Sequence, residues 1–417
     1  MQDIRRGKSM IGRSERWWPA SGASSRAGFE IAFSVIVAVV MAACTVGGFV
    51  IGRKTADNYV RRVGLLIDDA NVPKGMDVTH YLDDPVTAQA LAKVYDVPTG
   101  DRAALLSRLS QIPGAVPYRP APFVGHLAPQ ISWRGLHVNA AGFRDEREDY
   151  ATKPDRTVRA FITGGSTAFG VGSVQKMTIA YQLERLLNSD VSGNGMQYQV
   201  VNTAFPAWAS TQEKLLIQQY LVDMHPDVII MFSGNNDVHW LHNKMNINHF
   251  YTYADQNYVQ LLNELYAASG HSEWRIETPT LRSTMECRDL VKLTARNVEE
   301  SAFAANRAGA RLIFALQPNI VSTPKTLTAH EQQWFQKLDK SRWDSCYESI
   351  REQLQAIAAP NYAFLDLSRS FGEFGADTEV FIDYFHFADL GNRVIAQALE
   401  HGVDWLSIAE SVSAGTP

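Results

Sequence analysis

The chain has 417 residues, of which 46% are hydrophobic and 20% are charged. This composition is that of a globular protein and excludes an intrinsically disordered chain. The formal net charge of −5 removes the main electrostatic reason to expect nucleic-acid binding, so no nucleic-acid partner is predicted.

The first predicted element is a membrane-spanning helix over residues 31–52. These 22 residues contain no charged side chain, and at about 1.5 Å per residue they extend for roughly 33 Å, enough to cross a hydrocarbon core of about 30 Å. The preceding arm, residues 1–30, is rich in arginine, and a smaller group of basic residues follows the span. This bias favours a cytoplasmic arm, a single-pass anchor in the inner (cytoplasmic) membrane, and a larger part that faces the periplasm or the exterior.

Cys44 leaves a second interpretation of this segment open. It ends the stretch Met-Ala-Ala-Cys at 41–44, which loosely resembles the cleavage site of a bacterial lipoprotein, where the cysteine would be lipidated. The apolar run continues beyond Cys44, as a spanning helix requires and a lipoprotein does not, so the uncleaved anchor is favoured. Both interpretations export the rest of the chain. Cys287 and Cys346 would then lie in an oxidising compartment, either as a disulfide or as two thiols.

Residues 53–155 are predicted to form a separate extracytoplasmic region and linker. Two stretches in this region, 86–94 and 103–112, have helical spacing, and a proline-rich segment follows over 113–129. Because proline interrupts both helices and sheets, the proline-rich segment is predicted to be a linker or a wrapping arm.

Short apolar segments alternate with amphipathic segments from residue 157 onward. The segments predicted to be buried strands are 158–162, 199–202, 228–232, 310–316 and 363–367, and those predicted to be helices are 179–187, 212–222, 290–307, 346–357 and 392–405. Such alternation is typical of a parallel sheet covered by helices on both faces. The sequence therefore predicts one α/β domain over 156–410, with an insertion at about 239–286 where periodicity is weak.

Residues that can carry chemistry follow these strands. A Gly-Gly-Ser turn at 164–166 comes directly after the first strand, and a helix is predicted from about 174 to 188 beyond it. A sharp turn on glycines leaves a serine hydroxyl exposed at the carboxyl edge of a sheet. Gly-Asn-Asn-Asp at 234–237 follows the third strand, and Asp-Tyr-Phe-His at 383–386 follows the last. A serine needs an adjacent base to become a nucleophile, and the last motif offers both a base and a carboxylate to orient it.

These motifs and their order resemble those of the SGNH (GDSL-type) hydrolases, over about residues 157–405 and in the manner of membrane-anchored bacterial members. The resemblance implies a flavodoxin-like three-layer sandwich with a central five-stranded parallel sheet. It also implies Ser166 as nucleophile, His386 as base and Asp383 as the group that orients the base, with no cofactor. The aspartate that usually precedes the serine is here Gly165.

The second sequence block of the family is altered in this chain. Ala204 takes the position of the block's glycine, and Ala207 replaces a second common glycine. The resemblance implies an oxyanion hole made by the backbone N–H groups of Ser166 and Ala204 and the side-chain amide of Asn236. An alanine can contribute its N–H only if the backbone angles there tolerate a Cβ.

Three aromatic side chains near these motifs are candidate substrate contacts, namely Trp208, His239 and Trp240. An indole can stack on a sugar ring or simply pack in the core. No third ligand with clear geometry accompanies His239, so no metal site is predicted. The segment Asn-Ala-Ala-Gly-Phe-Arg at 139–144 is similar to one that often precedes the first block in membrane-tethered relatives, but the sequence assigns it no role.

The predicted function is a membrane-anchored extracytoplasmic serine esterase. Its expected substrate is a small acyl ester, an O-acetyl group on an envelope polysaccharide or lipid, because those are the esters accessible to a site tethered there. Three alternatives remain. One is an O-acetyltransferase that passes the same acyl-serine to a sugar hydroxyl. Another is a catalytically impaired SGNH fold that serves as a glycan-binding or scaffold protein. A lipase is the third, if the insertion forms an apolar lid.

Overall fold

A computed structural model of the chain describes residues 31–54, 83–112, 116, 119–121, 123–133, 135–189, 195–243, 262–275 and 285–414. Its contacts divide the chain into two units, Met1–Leu65 and Leu66–Pro417. The predicted arm over 1–30 and much of the predicted insertion over 239–286 lie outside the described residues.

The described part of the first unit is one helix, α1, Ile31–Lys54. It is long and apolar enough to cross a membrane, and none of its most apolar stretch is buried in protein. The helix passes Cys44 without a break and ends at Lys54. Length and composition therefore allow a single membrane span, and a signal sequence would meet the same criteria.

The second unit begins with two helices and two short hairpins. These elements are α2 Pro85–Val94, α3 Arg102–Leu109, β1 Arg119–Ala121 paired with β2 Gly125–Leu127, and β3 Ile131–Trp133 paired with β4 Leu136–Val138, both pairs antiparallel. The segment 113–129, which the sequence predicts to be a linker or a wrapping arm, contains the hairpin of β1 and β2. Pro120 is tolerated in β1 because a two-stranded ribbon leaves edge positions that need no donor.

A five-stranded parallel sheet forms the centre of the second unit, as predicted. Its strands are β5 Thr157–Gly164, β6 Gln197–Asn202, β7 Val228–Ser233, β8 Arg311–Leu316 and β9 Tyr362–Asp366. Their order in the sheet is β6-β5-β7-β8-β9. Every residue of β5 and β7 is buried, which explains why these strands are mostly apolar in the sequence and do not alternate between apolar and polar residues.

Helices cover both faces of this sheet. They are α4 Ser166–Phe169, α5 Ile179–Ser189, α6 Ser210–Gln219, α7 Asn235–His242, α8 at 262–268, α9 Cys287–Arg307, α10 Ala329–Gln336, α11 Lys340–Gln355, α12 Asp389–Gly402 and α13 Trp405–Ser413. Helices α5, α12 and α13 pack on one face, and α6, α9 and α11 pack on the other. The predicted helix 392–405 is in fact two helices, because Asp404 caps a new helix by accepting a hydrogen bond from the N–H of Ser407.

The segment predicted as a separate N-terminal region packs on loops of the sheet domain. Buried side chains of α2 and α3, including Leu91 and Leu105, form a cluster with Ile382 and Ala388. The hydroxyl of Tyr95 donates to the carbonyl of Gly172 at 2.9 Å. Residues 83–112 therefore support the two loops that carry the predicted serine and histidine motifs.

Candidate active site

The predicted nucleophile lies just after the carboxyl end of β5. Ser166 is half-buried and begins the one-turn helix α4, directly after β5. Gly164 at the end of β5 has a φ of +153°, and a Cβ there would lie 2.3 Å from the carbonyl oxygen of Phe232. Only glycine fits this contact, so the tight approach of β5 and β7 requires the glycine that the sequence provides.

His386 and Asp383 complete a hydrogen-bonded chain with Ser166. The hydroxyl Oγ of Ser166 lies 2.6 Å from Nε2 of His386. Nδ1 of the same ring lies 2.6 Å from Oδ2 of Asp383. Because an ionised carboxylate only accepts, the proton between this pair belongs to Nδ1, which leaves the lone pair of Nε2 directed at the serine hydroxyl.

Asp383 is held in its ionised form by its surroundings. Its Oδ1 accepts the backbone N–H groups of Phe385 and His386 at 2.9 and 2.7 Å. Burial alone would raise the pKa of Asp383, but the charge of His386 and these hydrogen bonds outweigh burial and lower the pKa below its usual value. The carboxylate is therefore charged at neutral pH and fixes the orientation of the imidazole.

The sheet order places the motifs at one edge. If the strands are numbered in order of sequence, they lie in the sheet as 2-1-3-4-5. The second strand is added on one side of β5 and the later strands on the other, and ligands bind beside this switch point, between β5 and β7, in such folds. Ser166 follows β5 and Asn236 follows β7, and the loop after β9 brings His386 to the serine. The chain has a flavodoxin-like fold, in which a five-stranded parallel sheet lies between two layers of helices. This arrangement confirms the predicted fold class.

Several solved structures are similar to the chain, all at low sequence identity. An acetyl xylan esterase, AlAXEase, aligns at 15% identity over 59% of this chain and 100% of its own, with a TM-score of 0.36. An acetylxylan esterase, Axe2, from Geobacillus stearothermophilus aligns at 13% identity over 60% and 95%, with a TM-score of 0.36. TesA aligns at 13% identity over 60% and 99%, with a TM-score of 0.35. No protein-family model and no curated protein sequence matches the chain.

Asn236 lies directly against the turn that carries Ser166. A Cβ on Gly165 would be 2.2 Å from Nδ2 of Asn236 and 3.1 Å from the carbonyl oxygen of Trp208. That amide nitrogen donates to the same Trp208 carbonyl at 2.6 Å, which leaves its second proton for another acceptor. The glycine in place of the family's aspartate therefore makes room for Asn236.

The predicted role of Ala204 in the oxyanion hole is not supported. Its backbone N–H donates to Oδ1 of Asn202 at 3.2 Å, so this donor is used within the turn. Ala207 has a φ of +71°, the left-handed conformation that glycine adopts without strain. Within the described part of the chain, the backbone N–H groups of Ser166 and Ala207 have no hydrogen-bond partner. Ala207, which replaces the second common glycine, thus has the backbone conformation that a glycine would adopt.

Two of the three predicted substrate contacts are buried. Trp208 is 0% exposed and Trp240 is 7% exposed, so both indoles pack in the core, the second of the two alternatives that the sequence left open. Nε1 of Trp240 donates to the carbonyl of Ala207 at 3.0 Å. Both rings instead support the 204–208 loop.

His239 is half-buried and lies close to the Asp383–His386 loop. Its ring stacks on Tyr384 with centroids 5.7 Å apart, and its Nδ1 lies 3.4 Å from the Tyr384 hydroxyl. Burial, and then the charge of His386, lower the pKa of His239 to about 4. His239 is therefore a neutral hydrogen-bonding group beside His386 at neutral pH.

Several residues of the site have no signal in the sequence. His126 is fully buried against Phe205 and Trp208, and burial lowers its pKa to about 4, although its bond to the Pro206 carbonyl opposes the shift. Arg144 contacts the turn after Ser166. No periodicity or spacing distinguishes either residue.

The sulfurs of Cys287 and Cys346 are bonded, which joins α9 to α11. Among the described residues, no group of three or more histidine, cysteine, aspartate or glutamate side chains is arranged to hold a metal ion.

Proposed function

We propose that the protein is a serine ester hydrolase in which Ser166, His386 and Asp383 form the catalytic triad. The observation that carries this proposal is the pair of 2.6 Å contacts from Ser166 Oγ to His386 Nε2 and from His386 Nδ1 to Asp383 Oδ2. His386 would take the hydroxyl proton as Ser166 attacks the ester carbonyl, and would return it to the leaving alcohol. Asp383 would stabilise the imidazolium formed between these steps.

The oxyanion would be held by three donors. These are the backbone N–H groups of Ser166 and Ala207 and the side-chain amide of Asn236, with Ala207 in place of Ala204. Among the described residues, nothing accepts a hydrogen bond from the N–H groups of Ser166 and Ala207, which supports this assignment, as does the position of the Asn236 amide beside Gly165. Such donors stabilise the charge that develops on the carbonyl oxygen in the transition state.

The proposed substrate is a small acyl ester, an O-acetyl group on an envelope polysaccharide or lipid. Location supports this choice, because α1 is long and apolar enough to anchor the chain in a membrane. The disulfide between Cys287 and Cys346 is a bond that persists in oxidising compartments. We therefore place the catalytic unit on the periplasmic or outer side of the inner membrane. The neutral His239 beside Tyr384 suits contact with an uncharged alcohol or sugar.

The test uses the full-length chain in detergent, a fluorophosphonate probe and p-nitrophenyl acetate. We expect the probe to label the peptide that contains Ser166 and p-nitrophenyl acetate to be hydrolysed. Ser166→Ala should lose both reactions with little change in melting temperature, whereas Ser107→Ala, at an exposed position on α3, should keep both. Turnover by Ser166→Ala equal to that of the parent would refute the nucleophile assignment.

The same experiment separates the alternative functions. Labelling of Ser166 with slow hydrolysis, accelerated by a sugar acceptor that becomes acetylated, would identify an O-acetyltransferase. A folded chain that neither reacts with the probe nor hydrolyses the ester would identify a catalytically impaired glycan-binding or scaffold protein. Preference for long acyl chains over acetate would identify a lipase.

A further inference from the structure

Arg144 is a buried cation just behind the nucleophile turn. Arg144 is only 2% exposed to solvent. All five of its N–H donors have acceptors: Nε donates to Gln175 Oε1 at 3.1 Å, Nη1 to the carbonyls of Phe169 and Gly170 at 3.0 and 2.9 Å, and Nη2 to those of Gly135 and Ser173 at 3.4 and 2.7 Å. A guanidinium has five donors in a fixed plane, so its hydrogen-bonding capacity is saturated here.

Carbonyl and amide oxygens surround this charge. Burial lowers the pKa of Arg144 to about 9, and the charge of Asp389 opposes the shift, so the group still carries its charge at neutral pH. A buried charge is expensive unless its hydrogen bonds are satisfied. The charge can remain buried only if all five acceptors stay in place. Arg144 therefore fixes the positions of the carbonyls that surround it.

Three of the five acceptors lie on the segment 169–173, which follows Ser166 in the chain and contacts the start of α12. Phe169 is the last residue of α4, the helix that Ser166 begins, and a cation near the end of a helix also interacts favourably with its carbonyls. Farther along the same segment, the hydroxyl of Ser173 donates to Oδ1 of Asp389 at 2.8 Å. Asp389 begins α12, three residues after His386.

Four further hydrogen bonds, made by Asn202, Arg144 and Arg108, complete this network. Nδ2 of Asn202 donates to the carbonyls of Ala168 and Phe169, both at 3.1 Å, and the backbone N–H of Arg144 donates to the Asn202 carbonyl at 2.9 Å. Arg108 of α3 donates to Oδ2 of Asp389 at 2.5 Å. Arg144 and Asn202 thus bind the turn after Ser166, and Arg108 and Ser173 bind Asp389 at the start of the helix after His386.

We propose that Arg144 is a positioning residue: by binding the carbonyls of the segment 169–173, it sets the register between the nucleophile turn and the loop that carries His386. This inference rests on the proposed esterase function and deepens it. It also gives a role to the segment 139–144, which the sequence left unexplained. A misplacement of about 1 Å at a reacting group can cost on the order of 10²-fold in rate.

Arg159 provides a matched control. It is 1% exposed, and its guanidinium donates to the carbonyls of Tyr150, Met224 and Thr152 and to Oε1 of Gln199. It also lies over an aromatic ring, that of Tyr150, as Arg144 lies over Phe169. Arg159 is near the amino end of β5, however, whereas Ser166 follows the carboxyl end of that strand.

The experiment compares Arg144→Lys and Arg159→Lys in the full-length chain. Lysine keeps the charge but has only three donors on a single atom. The readouts are melting temperature, the rate constant for fluorophosphonate labelling of Ser166, and kcat and KM for p-nitrophenyl acetate. We expect both variants to lose stability. Only Arg144→Lys should slow labelling and lower kcat, by about 10- to 100-fold, with KM within about two-fold of the parent because the groups that bind substrate stay in place.

Chemical rescue and a second variant keep the test decisive. Guanidinium ions added to Arg144→Ala should raise the labelling rate, and methylammonium, which has the charge without the planar donors, should not. If Arg144→Lys does not fold, Gln175→Leu removes one of the five acceptors and should slow labelling by about 3- to 10-fold, a smaller misplacement.

Equal labelling rates for folded Arg144→Lys and Arg159→Lys would overturn the proposal and leave Arg144 a purely structural residue. So would an unchanged rate in Gln175→Leu if Arg144→Lys does not fold. If the parent itself is not labelled at Ser166, the esterase function fails, and that result is distinct from a failure of the Arg144 proposal.

Discussion

Asp383 accepts hydrogen bonds from both the ring and the backbone of His386, at 2.6 Å from Nδ1 and 2.7 Å from the backbone N–H. One carboxylate therefore sets both the tautomer of the imidazole and the path of the loop that carries it. Replacing Asp383 by asparagine separates the two effects. The amide oxygen of asparagine can still accept from the backbone N–H groups, whereas its NH2 group cannot accept a hydrogen bond from Nδ1.

Asp383→Asn should lower kcat for p-nitrophenyl acetate by up to ~10⁴, because the asparagine amide favours the wrong imidazole tautomer. KM should change little, since Asp383 is not expected to touch the substrate. The measurement is steady-state kinetics of the full-length chain beside its melting curve. A folded variant with turnover within a factor of about ten of the parent would argue against the triad.

Gly165→Asp restores the residue that is usual in the family, yet we expect it to impair this protein. A Cβ at this position would lie 2.2 Å from Nδ2 of Asn236, so the amide must rotate away and lose its bond to the Trp208 carbonyl. Loss of one oxyanion donor typically lowers kcat by about 10²–10³. Steady-state kinetics of Gly165→Asp would check this, and equal or higher activity would show that Asn236 is not needed where it lies.

Ala207 should accept glycine better than any larger residue. An L-residue in the left-handed region is strained by about 1–2 kcal/mol, whereas glycine gains chain entropy on unfolding that offsets part of this. We expect Ala207→Gly to keep full activity with stability equal to or slightly above that of the parent, and Ala207→Val to lose both. Denaturant titration and kinetics measure these effects.

Ala204→Gly is the matched control for this series. Ala204 is not among the described residues with a positive φ, so glycine there should bring no gain in stability. A larger loss of activity in Ala204→Gly than in Ala207→Val would return the oxyanion role to Ala204.

Acid should destabilise the folded domain through its buried histidines. The pKa of His126 is about 4 in the folded chain, against about 6.5 when unfolded. Between these values the unfolded state binds more protons, so stability falls as pH decreases from about 6.5 to 4, by up to about 3 kcal/mol for this one group. His126→Phe should show a smaller fall in melting temperature over that range.

His401→Gln, at an exposed position, serves as the control for the acid series and should follow the parent curve. An identical pH dependence in His126→Phe and the parent would contradict the assignment of a neutral buried imidazole. Melting curves at intervals of half a pH unit are sufficient to distinguish the two results.

The disulfide should contribute strongly to stability. It closes a loop with a sequence separation of 59 residues, for which the chain-entropy model gives about 4 kcal/mol. Replacing Cys287 and Cys346 together by serine should therefore lower the free energy of unfolding by an amount of that order. Cys44→Ser should have no such effect, since Cys44 is a free thiol. A double variant as stable as the parent would show that the bond does not form in the expressed protein.

The sequence alone determined the elements whose burial leaves a continuous apolar run. All five strands of the sheet were predicted with ends within two residues of those observed. For β7 the reason is that a parallel strand buried on both faces favours apolar residues throughout. Ser166, Asn236, Asp383 and His386 were predicted from motifs at strand ends, where the chemistry restricts the residue type. The apolar helix α1 was predicted for the same reason, since a membrane core excludes charge.

Only the tertiary structure decided which groups near the serine are available for chemistry. The sequence placed the oxyanion donor at Ala204, but whether an N–H is free depends on the partner that folding brings to it, here Asn202. Trp208 is an aromatic residue beside the site in sequence, yet it packs inward. Backbone torsions, as at Ala207, and side-chain direction depend on contacts that sequence position does not specify.

Contacts between residues far apart in sequence also decided which side chains bind the segments next to Ser166 and His386. Residues 83–112 and 139–144 precede the serine in sequence and carry no catalytic motif, but Arg108 and Arg144 bind the segments after His386 and Ser166. Their hydrogen bonds go to backbone carbonyls, to the side-chain amide of Gln175 and to one carboxylate, acceptors that occur throughout any chain. Because such partners leave no pattern in the sequence, only the folded chain shows which of them meet.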